Sequence, residues 1–175
     1  MLETHPFGNF VPNNATTLIL GSFTGRQAVK GKSYTYEAYD WFYGTPRNQF
    51  WPMIEAVYGV ALPTKKSKQD LFTKHGIAIT DIIYQCERQD GNNSDSNLKN
   101  IVYNQQAILE IVASHPIQTI LFTSRFVERK FRAEFKHILE GYPNIEYHVL
   151  PSPSPRYASM KKEEKIKRYH DLLPK

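Results

Sequence analysis

Thr16-Thr17-Leu18-Ile19-Leu20 runs without a break into Gly21-Ser22-Phe23-Thr24-Gly25. The first five residues are short, apolar and partly β-branched, which suits a buried strand. The next five are a small-residue turn that presents backbone N–H groups at the strand's end. Beyond it lie Lys30 and Lys32, then an aromatic-dense segment holding Tyr34, Tyr36, Tyr39, Trp41, Phe42 and Tyr43, then the break Gly44-Thr45-Pro46-Arg47. Asn48-Gln49-Phe50-Trp51-Pro52-Met53-Ile54 follows. Ordering so long a connection costs conformational entropy, so a loop rich in rings and polar tips is expected to serve a site.

Outward from this stretch, the pattern alternates strands with helices. Phe50, Ile54 and Val57 recur at helical intervals over 48–58, with Gly59 as the stop. Ser67-Lys68-Gln69-Asp70 fits a capping box opening a helix to about residue 74. Residues 77–83 are nearly all apolar and β-branched, as for a strand covered on both faces, with Asp81 near its end. Residues 85–97 read as a polar loop, and Ser96 or Asn97 as the cap of a long helix to 114 with Ile101, Ile108, Ile111 and Val112 on one face. A third strand is expected over 118–122 and a fourth over 146–150. Between them a helix over 124–139 turns Val127, Phe131, Phe135 and Ile138 inward and Arg125, Arg129, Arg132 and Lys136 outward. Residues 1–15 read as an extended arm and 160–175 as a closing helix. The expected class is therefore α/β: one domain over 1–175, a three-layer α/β/α arrangement with a central four-stranded parallel sheet. Ligands of such sheets bind beyond the carboxyl ends of the strands, where Ser22, Asp81, Ser124 and Ser152 are all expected to fall.

Composition limits the function classes. A chain of 175 residues with 41% hydrophobic content has enough material for one sizeable core but hardly for two. A formal charge of +5 and a pI near 9.2 favour a polyanionic partner. The single cysteine, Cys86, excludes an internal disulfide and any all-cysteine metal cluster. His5, His75, His115, His137, His148 and His170 are scattered, so neither a metal nor a cofactor is expected. No apolar run approaches the roughly 18 residues of a membrane span and no basic, apolar leader opens the chain. The expectation is a cytoplasmic monomer that does not associate with membranes.

Three stretches together carry a family resemblance: Tyr43-Gly44-Thr45-Pro46-Arg47-Asn48-Gln49-Phe50-Trp51 after the first strand, Gly76-Ile77-Ala78-Ile79-Thr80-Asp81-Ile82-Ile83 with Cys86-Glu87-Arg88, and Leu150-Pro151-Ser152-Pro153-Ser154-Pro155. Over residues 16–157 the chain resembles the uracil-DNA glycosylase superfamily, most of all the hypoxanthine-DNA glycosylase branch and next the mismatch-specific uracil/thymine glycosylases. It departs from sister families at Ser22, where several carry Asn or Asp, at Thr24, where proline is usual, and at Leu150, where some carry His or Asn. The resemblance implies DNA containing a deaminated base as substrate, with Asn48 as the residue on which catalysis depends and Tyr43 as the aromatic plate.

A glycosylase must flip a base out, hold it flat and stabilise charge as the N-glycosidic bond stretches. Asn48 has an amide that donates and accepts at once, which suits a base edge or an oriented water; it is equally a favoured helix cap. The N–H groups of Ser22 and Phe23 are placed to hydrogen-bond a carbonyl on the departing base, or simply to turn the chain. Phe23 and Tyr43 are candidate walls of the base pocket, Tyr43 also fitting a core position. Asp81 is the carboxylate nearest the sheet edge, suited to activating water or to pairing with Arg88. Pro151, Ser152, Pro153 and Ser154 make a stiff loop fit to pinch a DNA backbone, and Arg156 beside it is placed for phosphate. Against the glycosylase stands a catalytically weakened nucleic-acid-binding protein on the same fold.

Overall fold

The computed structural model describes residues 2–25, 41–89 and 93–175. Lys30, Lys32, Tyr34, Tyr36 and Tyr39, and part of the loop expected over 85–97, lie outside the described residues. Four parallel strands form the central sheet in the spatial order β3 (Ile77–Asp81), β2 (Thr17–Gly21), β6 (Thr119–Phe122), β7 (Glu146–Val149). Every residue of β2 and β3 is buried, because helices cover both faces. Strand alternation sorts the core. Leu18, Leu20, Ala78, Ile120 and Phe122 pack on one side against α3 (Gln105–Ser114), α4 (Arg125–Glu134) and α5 (Lys136–Gly141). Ile19, Ile77, Ile79 and Leu121 pack on the other against α1 (Phe50–Tyr58), α2 (Lys65–His75) and α6 (Lys162–Leu172). This is the expected three-layer α/β/α arrangement.

Several local expectations give way. The stretch expected as one strand over 77–83 divides: β3 ends at Asp81, and β4 (Ile83–Arg88) turns into a separate antiparallel sheet, in which it lies between β1 (Leu2–Thr4) and β5 (Leu98–Tyr103). The long helix expected from residue 96 or 97 begins only at Gln105. Residues Leu98–Tyr103 are β5, antiparallel to β4, preceded by a short 3₁₀ turn over Asp95–Asn97. Ladder bonds with β4 outweighed a helical spacing of apolar residues that only α3 fulfils. The N-terminal arm carries a strand, β1 (Leu2–Thr4), on the other edge of β4, and Phe10 bridges to Ile79. Helix α2 starts earlier than expected, because the capping box is formed by Thr64 with Ser67. The helix expected over 124–139 breaks at Phe135, which ends α4 and opens α5.

Two crossovers fix where a ligand fits. After β2 the chain passes to α1 and α2 on one face, and after β6 it passes to α4 on the other. Loops that leave adjacent strands for opposite faces open a crevice beyond the strand ends.

Candidate active site

A cleft of about 1060 Å³ occupies that crevice, and its wall includes Ser22, Phe23, Tyr43, Asn48, Asp81, Asp95, Thr123, Ser124 and the loop 152–157. The separate motifs read from the sequence thus meet in one place. Their geometry is set by Gly21, the last residue of β2, which lies opposite Asp81 in the sheet register. A Cβ on Gly21 would fall 2.3 Å from both Asp81 Oδ1 and the Tyr43 hydroxyl. Only glycine lets the carboxylate and the phenol approach the strand end this closely.

Tyr43 has a left-handed backbone, φ 57°, a conformation that bulky residues avoid unless their surroundings impose it. Here the ring stacks on Phe50, centroids 4.3 Å apart, and the hydroxyl donates to Thr123 Oγ1 at 3.0 Å across the two diverging loops. Burial first, then the Asp81 charge, pushes the phenol well above its ordinary range, so it stays a neutral donor. Tyr43 is therefore a fixed wall, not a mobile side chain.

Asn48 sits in the turn before α1. Its N–H donates to the Thr45 carbonyl at 3.0 Å, and its Oδ1 accepts from Phe50 N–H at 2.9 Å. Gln49, not Asn48, is the N-cap of α1, and the Asn48 amide instead makes a local turn bond to Phe50 N–H that fixes which way it faces: Oδ1 is held by the backbone, leaving the Nδ2 donor without a partner among the described residues, on the cleft wall.

The carboxylates depart from expectation. Asp81 does not pair with Arg88. Its Oδ2 lies 2.7 Å from His5 Nε2, with both side chains 5% exposed. Arg88 is instead a buried clamp: its Nε reaches Glu3 at 3.2 Å, Nη1 reaches Asn93 Oδ1 at 3.2 Å, and Nη2 donates to the Thr24 carbonyl at 2.6 Å. The guanidinium also lies 5.3 Å from the centroid of Phe23. Phe23 consequently packs against Arg88 and edge-on to His5, lining the cleft with an almost fully buried ring. The Ser22 hydroxyl donates to Asp95 Oδ1 at 2.7 Å. Burial raises the Asp95 pKa, the Asp81 charge adds to that, and the Ser22 bond and Arg88 oppose it.

The proline loop is held from behind. Gln49 N–H donates to the Pro153 carbonyl at 2.9 Å and the Tyr169 hydroxyl to the Pro151 carbonyl at 3.0 Å. Buried Lys165 of α6 reaches Gln49 Oε1 at 3.0 Å and the Ser154 carbonyl at 3.4 Å, and its burial lowers the ammonium pKa. Pro151 and Pro153 are thereby buried anchors, while Pro155, Arg156 and Tyr157 project exposed on the rim. Ser152 and Ser154 spend their hydroxyls within the loop, on the N–H groups of Ser154 and Arg156.

His5, Asp95 and Thr123 were missed by sequence reasoning. His5 stands in an arm with no motif, and Asp95 is one polar residue among many in a loop; neither spacing nor type marks them. Thr123 had a weak signal, lying between the strand expected over 118–122 and the helix expected over 124–139.

A model of the uracil DNA glycosylase superfamily matches residues 7–173 of the chain. The chain belongs to this superfamily. It is 25% identical over 155 residues, 87% of each chain, to the hypoxanthine DNA glycosylase of Methanosarcina barkeri (strain Fusaro / DSM 804). Its fold is also that of a candidate uracil DNA glycosylase from Methanosarcina acetivorans solved by solution NMR, with a TM-score of 0.69 and 22% identity over 98% of this chain and 96% of that one. Among the described residues no helix is long and apolar enough to cross a membrane.

Proposed function

We propose that the protein is a monofunctional DNA glycosylase that flips a deaminated base, hypoxanthine or uracil, from DNA and hydrolyses its N-glycosidic bond, acting as a cytoplasmic monomer. The observation that carries this reading is the convergence in one cleft of a fixed aromatic wall, Tyr43, an amide donor with no partner among the described residues, Asn48 Nδ2, and a carboxylate, Asp81, with the proline loop on the rim. Membership of the superfamily and the likeness to a hypoxanthine DNA glycosylase support it.

In the reaction, the water oxygen bonds to C1′ while the C1′–N bond breaks and its electron pair leaves with the base. The water's proton passes to the Asp81 carboxylate, and the base nitrogen is protonated from solvent. Asn48 Nδ2 donates to the base carbonyl, where negative charge grows, and the lone pair that Oδ1 still has is left for the adjacent ring N–H. Hypoxanthine and uracil share that carbonyl beside an N–H. Adenine and cytosine reverse it and would leave two buried groups unpaired, at roughly 1 to 3 kcal/mol each. Weak pairing in the duplex adds selectivity, because inosine and uracil cost less to flip.

The test is strand cleavage at abasic product over a panel of single-stranded and mismatched oligonucleotides carrying deoxyinosine, deoxyuridine, mismatched thymine or normal bases only. Excision of deoxyinosine or deoxyuridine with normal bases spared is expected. Purified protein that binds these strands and excises nothing would establish the non-catalytic reading in its place.

A further inference from the structure

The N-terminal arm brings a histidine to the back of the cleft. His5 does not line the cleft itself; it stands behind Asp81, which does. Its imidazole is enclosed by Phe7, Phe23 and Phe42 at centroid distances of 6.0, 5.5 and 5.3 Å. In that apolar box its two nitrogens have one polar partner each among the described residues. Phe7 N–H donates to Nδ1 at 3.3 Å, so Nδ1 is an acceptor and the proton of the neutral ring resides on Nε2. That proton is the one available to Asp81 Oδ2, 2.7 Å away. The Asp81 carboxylate is therefore gripped at Oδ2 from behind, while Oδ1 lies against Gly21 and the Tyr43 hydroxyl at the strand end.

We infer that His5 is a positioning residue, which fixes the Asp81 carboxylate through an Nε2–H hydrogen bond so that Oδ1 faces the reacting groups in the cleft, and that the N-terminal arm is thereby part of the active site. Its effect on rate rests on the glycosylase reading above; the geometry does not. Three features set it apart from a packing histidine. The tautomer is imposed by a backbone donor, the acceptor is a buried carboxylate on the cleft wall, and the arm is tied down without it. Asn9 Oδ1 accepts from Thr80 Oγ1 at 2.5 Å and from Asn104 Nδ2 at 3.2 Å, and Phe10 exchanges backbone bonds with Ile79. Loss of the imidazole thus frees Asp81 without detaching the arm.

Single-turnover excision is to be compared for the wild type, His5→Leu, His5→Gln, Asp81→Asn and the His5→Leu/Asp81→Asn pair. His5→Leu should slow the chemical step about a hundredfold with DNA affinity unchanged, as for a misplaced reacting group. His5→Gln, whose amide N–H reaches the same oxygen, should restore most of that loss. The double variant should be no slower than Asp81→Asn alone, because the histidine acts only through that carboxylate. A His5→Leu enzyme at the wild-type rate, or losses that simply multiply in the double variant, would overturn the inference. A second readout needs no turnover. Nitrogen–proton correlation spectra of the wild-type imidazole should show the His5 proton on Nε2, slow to exchange, and faster to exchange in Asp81→Asn. A proton on Nδ1 overturns the inference whatever the enzyme excises. An inert wild type that shows the Nε2 proton held by Asp81 refutes the glycosylase reading while upholding the positioning of the carboxylate.

Discussion

Asn48 performs two tasks with one amide, and they are separable by chemistry. Its Oδ1 accepts from the N–H of Phe50, the first residue of α1, and its Nδ2, without a partner among the described residues, is left for substrate. Asn48→Ala removes both, and should cost about 1 kcal/mol of folding stability for the lost hydrogen bond together with roughly 2.7 to 4 kcal/mol of barrier to excision. Asn48→Asp keeps the Oδ1 acceptor and replaces the Nδ2 donor by a charged carboxylate oxygen at the helix N-terminus, so it should melt no lower than the wild type while excision falls as far. Parallel melts and excision rates decide this; full activity in Asn48→Asp would remove the amide from the mechanism. Asp95 makes the opposite kind of prediction. Its pKa is raised by burial, so the folded chain binds that proton more tightly than the unfolded chain does. Below the ordinary carboxylate range, near pH 4, both states hold the proton and Asp95 has no effect. As pH climbs through the raised value the folded state must carry a desolvated charge, and stability is lost. Asp95→Asn should therefore melt higher than the wild type at neutral pH, with the gap closing as pH falls toward 4. An unchanged gap across that range would mean that the charge is not the cause.

At the level of elements, the antiparallel sheet β1-β4-β5 works as a brace for the site loop. Arg88 at the end of β4 ties together Glu3 of the partner strand β1, the Thr24 carbonyl of the loop after β2, and Asn93 of the loop before Asp95. Its side chain is 2% exposed, so replacing it leaves Glu3 buried without this ion pair. Arg88→Met should lower the unfolding free energy by about 3 to 5 kcal/mol, measured by urea titration. Arg88→Lys should recover little, because an ammonium does not reproduce the planar fork that reaches all three partners. A loss under about 1 kcal/mol would show that the brace is redundant. On the opposite side, α6 fulfils the same role for the proline loop through Lys165 and Tyr169. The two braces belong to different layers and hold opposite walls of one cleft.

For the whole molecule, the excess of five positive charges is modest and must act through a few phosphate contacts. DNA affinity should fall steeply with added salt, with a log–log slope that counts those contacts. Arg156 projects from the rim with its guanidinium unpaired among the described residues, unlike Arg125 and Arg132, which are engaged with Glu128. Arg156→Ala should weaken binding to every sequence alike and reduce the salt slope by about 1. Fluorescence anisotropy at several salt concentrations measures both. A slope unaltered by the substitution would place Arg156 off the DNA path.

What the sequence determined by itself was whatever local pattern and chain order dictate. Runs such as 16–20 and 118–122, short and largely apolar, suit strands covered by helices, and strands separated by helices point to a parallel sheet whose carboxyl edge gathers Ser22, Asp81, Ser124 and Ser152. Gly59, left-handed, likewise stops α1. The tertiary structure decided what depends on partners distant in sequence. Residues 98–103 carry apolar spacing that suits a helix as well as a strand, and only the ladder with β4 chooses between them. Asp81 has two credible hydrogen-bond partners, Arg88 and His5; seven residues separate it from the first and 76 from the second, yet it meets the second. Arg88 is drawn away by Glu3 and the Thr24 carbonyl, whose approach depends on how β1 and the site loop pack. Side-chain pairing at a buried site is settled by which groups the whole fold leaves unsatisfied, and no local pattern in the chain records that.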